Sequence, residues 1–103
     1  MELKEICALL ETTGLPVTYR AFPEGEAPPL PFICYMETGS NNFGADGIVY
    51  KKIKGIQIEL YTVRKDVESE DKVEQAISSF YWSKDENYID SERCYQIVYE
   101  MEV

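Results

Sequence analysis

The chain has 103 residues, enough for one hydrophobic core and too few for two independent ones. It is 45% hydrophobic and 13% aromatic, which excludes a disordered chain, and its net charge of −9 opposes attraction to nucleic acid or an anionic membrane. There is no histidine, which excludes His-based acid–base catalysis, Ser-His and Cys-His nucleophile pairs and His-ligated metal sites.

Residues 2–12 predict a helix. Leu3, Ile6, Cys7 and Leu10 fall at the spacing of one apolar helical face, and Gly14 and Pro16 stop the run. Residues 17–22 alternate as a strand. From Pro23 to Pro31 there are four prolines and Gly25, which predicts a stiff, extended connection. Residues 32–38 read as a second strand, apolar almost throughout, as expected of a strand covered on both faces. Residues 39–47 have the composition of a loop, with Phe43 alone in it.

Ile48 to Arg64 is the longest regular run. Ile56, Ile58 and Leu60 alternate with Gln57, Glu59 and Tyr61, the period of a strand with one buried face. Gly55 interrupts it and suggests a bulge or bend. The run reads as one long bent strand, or as two strands joined by a tight turn. Residues 68–80 predict a second helix. Its apolar stripe is Val73, Ala76, Ile77 and Phe80, its cap is Ser69, and Asp66, Glu68, Glu70 and Asp71 stand at the positive end of its dipole. Tyr81 to Ile89 and Cys94 to Val103 complete the chain as strands around a turn at 90–93, with Tyr95, Ile97, Tyr99 and Met101 on one face of the last. The order α-β-β-β-α-β-β in one domain, residues 1–103, predicts an α+β fold: a mainly antiparallel sheet of four to five strands with two helices packed on one face.

No phosphate-binding glycine motif is present. The stretch Ser40 to Gly47 does not match a calcium loop, since the twelfth position from Ser40 is Lys51 and not a glutamate. Carboxylate pairs such as Glu24/Glu26, Glu70/Asp71, Asp85/Glu86 and Glu100/Glu102 are ordinary in so acidic a chain, and nothing in the sequence marks one as buried. Cys7, Cys34 and Cys94 form no CxxC motif and read as small core residues, with a disulfide between two of them left open. The charged start, Met1-Glu2-Leu3-Lys4-Glu5, is unlike a signal peptide, and the expected location is the cytoplasm.

Charge is unevenly distributed. Residues 1–47 carry −5, residues 48–65 carry +4 and residues 66–103 carry −8. The lysines of the middle segment either protect a strand edge from unwanted pairing or meet the acidic half of another copy. A nucleic-acid site there is opposed by the surrounding charge.

Several segments together resemble a protein family. They are Pro31-Phe32-Ile33-Cys34-Tyr35, Gly39-Ser40-Asn41-Asn42-Phe43-Gly44-Ala45-Asp46 and Val49-Tyr50-Lys51-Lys52-Ile53, then Ile58-Glu59-Leu60-Tyr61-Thr62. They continue as Tyr88-Ile89-Asp90-Ser91-Glu92 and Tyr95-Gln96-Ile97-Val98-Tyr99-Glu100. In this order they are similar to the tail terminator, or tail-completion, proteins of long non-contractile-tailed phages and prophages of Gram-positive hosts. The resemblance implies a small α+β subunit that is not an enzyme and takes no cofactor. It implies a hexameric ring capping the tail tube, with three partners: other copies of the chain, the tail tube protein and the head-side connector protein. Neither nucleic acid nor membrane is an expected partner. The chain would sit in the host cytoplasm during assembly and in the virion tail or neck afterwards. Contacts in such proteins are made by loops and strand edges. That nominates first the loop residues Ser40, Asn41, Asn42, Phe43 and Asp46, and second the basic band of Tyr50, Lys51, Lys52 and Lys54. Phe43 is either an interface plug or an aromatic folded onto its own core. Two other functions fit the same sequence: a head-completion or connector protein, and an acidic regulatory module that binds another protein.

Overall fold

The two apolar periodicities, helical and alternating, meet across a single sheet. A computed structural model describes residues 1–40, 43–45, 47–51 and 53–103, with 43–45 and 48–51 as backbone alone. The elements are α1 (Leu3–Glu11), β1 (Val17–Tyr19), β2 (Phe32–Ser40), β3 (Phe43–Ala45), β4 (Ile48–Lys51), β5 (Lys54–Thr62), α2 (Val67–Ala76), β6 (Trp82–Ile89) and β7 (Cys94–Glu102). Five strands form one sheet in the order β1-β2-β5-β7-β6. β1 runs parallel to β2, and every other neighbouring pair in that sheet is antiparallel. This is the expected α+β class.

Cross-strand partners share a face, so the register sorts the side chains. One set of rungs is Ile33–Leu60–Ile97, Tyr35–Ile58–Tyr99 and Glu37–Ile56–Met101. Against these rungs pack Ile6 and Leu10 of α1, Val73 of α2 and Ile77 just beyond it, all fully buried. Both helices therefore cover the same face. Each such isoleucine or leucine contributes roughly 1.5–3 kcal/mol by leaving water.

Local chemistry sets the helix ends. α1 closes with Thr13 Oγ1 donating to the Leu10 carbonyl at 2.7 Å. The cap of α2 is Asp66 and not Ser69. Its carboxylate accepts from the Ser69 N–H at 3.0 Å and from Ser69 Oγ at 2.7 Å, so Ser69 lies inside the first turn as a donor. α2 ends at Ala76, earlier than its apolar stripe suggests, because Ile77 leaves helical geometry at φ −105. Ile77 and Phe80 still pack on the core from the following turns.

Three expectations change in the middle of the chain. The stretch 39–47 is not simply a loop: β2 runs on through Gly39 and Ser40, which pair with Gly55 and Lys54. The run 48–64 is two strands, and they do not pair with each other. β4 pairs with β3, whereas β5 pairs with β2 and β7. β2–β3 and β4–β5 are thus the two arms of one long hairpin. Its distal part is a separate two-stranded sheet beyond the last rung of the main one, Ser40–Lys54. The third change concerns Gly55, where the bulge lies opposite, between Glu37 and Gly39. A Cβ on Gly55 would stand 2.8 Å from Thr38 Oγ1, so the glycine makes room for the bulged threonine. The connection from Pro23 also begins with a turn, Glu26 N–H to the Pro23 carbonyl at 2.9 Å, before it extends. The molecule measures 49 × 28 × 24 Å, with a radius of gyration of 14.8 Å against about 13 Å for a compact chain of this length.

Candidate interaction surface

Among the described residues no helix packs on the second face of the sheet. Its rungs are Phe32–Tyr61–Gln96–Asn87, Cys34–Glu59–Val98–Asp85 and Met36–Gln57–Glu100–Ser83. These are the polar phases of the alternating strands, and they carry three carboxylates and no cation.

Hydrogen bonds organise the centre of this face. Glu59 accepts from Gln57 Nε2 at 2.8 Å, from the Tyr61 hydroxyl at 3.0 Å and from Gln96 Nε2 at 3.2 Å. Gln96 Nε2 also donates to the Tyr61 oxygen at 3.1 Å. Burial and the neighbouring Glu59 carboxylate push the Tyr61 phenol up to about 12. The same two causes push the Cys34 thiol up to about 11, so it stays protonated and poorly nucleophilic at neutral pH. Cys7, Cys34 and Cys94 are all free thiols. One corner of the face is closed by the chain itself. Phe22, which lies past the end of β1 at Tyr19 although residues 17–22 read as one strand, meets Phe32 edge-on at 5.0 Å, and Phe32 leans on Tyr61 at 5.4 Å.

The opposite corner is open. There Thr38, Gln57, Tyr81, Ser83, Glu100 and Glu102 line a shallow groove at the root of the hairpin. Tyr81 is 97% exposed. Glu100, Glu102 and Asp85 are exposed and make no ion pair among the described residues.

The nominated residues that the structure describes lie on the hairpin and at its root. Ser40 is exposed at the end of β2, opposite Lys54. Phe43 lies in β3 opposite Lys51 of β4, and Tyr50 precedes Lys51 in the same strand. Asn41, Asn42, Asp46 and Lys52 lie outside the described residues. Lys54 is partly engaged at home: its Nζ stands 3.6 Å from Glu2 Oε2 and 3.3 Å from the Met1 carbonyl. Lys65, at the other end of the basic segment, is taken up by Glu70 and Glu86, each at 2.7 Å. The basic band is therefore smaller than its sequence count.

The sequence reading missed one ionic cluster altogether. Glu70, 3% exposed, is buried beneath α2 between Lys65 at 2.7 Å and Lys84 at 3.1 Å. Lys84 also reaches Glu74 at 2.6 Å, and the Tyr99 hydroxyl donates to the same Glu74 oxygen at 2.8 Å. Burial alone would raise the Glu70 carboxyl, and the two ammonium groups more than offset it, so it lies below its ordinary value. Glu70 Oε2 meets the Lys65 ammonium as an ion pair and makes no hydrogen bond, so charge pairing with Lys65 and Lys84 holds the carboxylate in place and ties α2 to β6.

No protein-family model matches the chain, and no curated protein matches it. Among the described residues no group of acids and cysteines is arranged to hold a metal ion, and no helix is long and apolar enough to cross a membrane.

Proposed function

We propose that this protein is a non-enzymatic structural subunit of a tailed-phage virion, a tail terminator that caps the tail tube as a ring and joins it to the head. The observation that carries the reading is a pair of unlike surfaces on one small chain. One is a sheet face that no helix covers, and the other is a hairpin that continues past the sheet. A subunit of a closed ring needs two complementary surfaces, because each copy meets its neighbours with different sides. The segments that resemble the tail terminator family run along β2, the hairpin, β5 and the β6–β7 pair, so the resemblance and the two surfaces coincide. A tube end offers a ring-shaped template. Binding there raises the local concentration of subunits and orders them at once.

Electron microscopy of lysates from a phage lacking this gene tests the proposal. Full heads beside unattached or overlong tails are the expected result. Tails of normal length beside emptied heads would favour the head-completion role instead. Normal, joined particles would overturn both virion roles.

A further inference from the structure

We infer that the open groove of the sheet receives the β3–β4 hairpin of a second copy of this chain. The inference rests on the ring reading only in taking another copy as the partner; the fit itself comes from charge and topology.

The groove is acidic. Glu100 and Glu102 line it from the open face of β7, Asp85 lies further along that face on β6, and none makes an ion pair among the described residues. Residues 48–54 are the opposite: three lysines and no acid. Lys54 is engaged by Glu2 of its own chain, whereas Lys51 belongs to β4, beyond the main sheet. A two-stranded ribbon is marginal alone in water and gains stability when a surface covers it. The nearby Tyr81, fully exposed beside the groove, supplies an apolar, hydrogen-bonding wall of the kind enriched at interfaces. Pairing two copies face to face would set carboxylate against carboxylate, so the self-complementary alternative is disfavoured. Hairpin into groove is head-to-tail. Such a contact closes into a ring when the rotation allows.

The test uses the full chain at low salt, as an equal mixture of unlabelled and 15N-labelled protein. A carbodiimide links carboxylates to lysines in contact, and mass spectrometry reports mixed-isotope peptides, which arise only between copies. Links joining Glu100 or Glu102 to Lys51 are expected. Sedimentation should show association that weakens with added salt and falls about tenfold in the Glu100→Lys/Glu102→Lys variant. A Lys51→Glu chain mixed with that variant should restore association. Both acids are exposed, and a melting curve checks that the variants fold. Mixed-isotope links confined to other surfaces, association untouched by charge reversal, or a monomer at the highest soluble concentration would overturn the contact. Intact assembly through this contact in a phage whose tails are normal without the gene would instead count against the terminator reading alone.

Discussion

The sheet has one face built for its own helices and another that they leave bare. On the covered face the central rungs are isoleucine, leucine, tyrosine and methionine, almost all below the surface. On the bare face the same strands, one residue out of phase, present Gln57, Glu59 and Tyr61, with Gln96, Val98 and Glu100 beside them. A strand carries two independent sequences, one per face. Here the first encodes the fold and the second is free to encode a contact.

Substitutions that separate the faces test this contrast, and the largest effect belongs to the covered side. Leu60→Ala should cost about 3 kcal/mol in urea unfolding, because Leu60 is fully buried and the helices above it cannot follow the shrinking side chain. Val98→Ala, half-buried on the bare face, should cost about 1 kcal/mol. Equal costs would mean that the bare face is also core. Next comes the strut under α2. Glu70→Gln should cost about 2 kcal/mol, less than for a fully enclosed pair because Lys65 keeps Glu86 and Lys84 keeps Glu74. Its pH dependence has a definite sign. The Glu70 carboxyl is lowered in the fold, so its stabilisation is present above its ordinary value of 4.5 and is lost as pH falls below it. Thermal melts between neutral and acid pH should therefore show a shallower acid decline in Glu70→Gln than in the wild type.

A smaller effect sharpens the account of the hairpin's root. Gly55→Ala places a methyl group 2.8 Å from Thr38 Oγ1 and should cost about 1 kcal/mol. Thr38→Ala in the same chain should recover most of that loss, and a double-mutant cycle measures the coupling. Smallest is the bare-face network. Gln96→Ala removes donors to Glu59 and Tyr61 at a half-exposed site, and should change stability by less than about 1 kcal/mol.

Much of the fold was legible because burial writes periodicity into sequence. The apolar stripe Leu3, Ile6, Cys7, Leu10 marked α1, and the alternation Ile56, Ile58, Leu60 marked the central strand, since helix and sheet each need one apolar face. The hairpin was less legible. Glycine and asparagine around Phe43 have loop composition, yet Gly39 and Ser40 are held in the ladder by partners on β5, which composition does not report. A local signal did exist. Asp46-Gly47 stands between the paired residues Ala45 and Ile48, and Asp-Gly is a favoured two-residue hairpin loop, with Gly47 at φ 76. Glu70 gave no signal, because its burial depends on Lys65 and on Lys84 from distant β6, and a first-turn glutamate ordinarily faces solvent. The candidate surface was least legible. Glu100 and Glu102 looked like one more acidic pair until the register set them beside Gly55 and Ser83 at the open end of the sheet.

Hydrogen exchange measured by mass spectrometry over a dilution series at low salt shows whether the bare face and the hairpin meet between copies. If the bare face and the hairpin meet between copies, peptides covering 43–51 and 96–102 gain protection as concentration rises, while peptides of α1 and α2 stay unchanged. Protection gained over the helices, or gained nowhere, would rule that contact out.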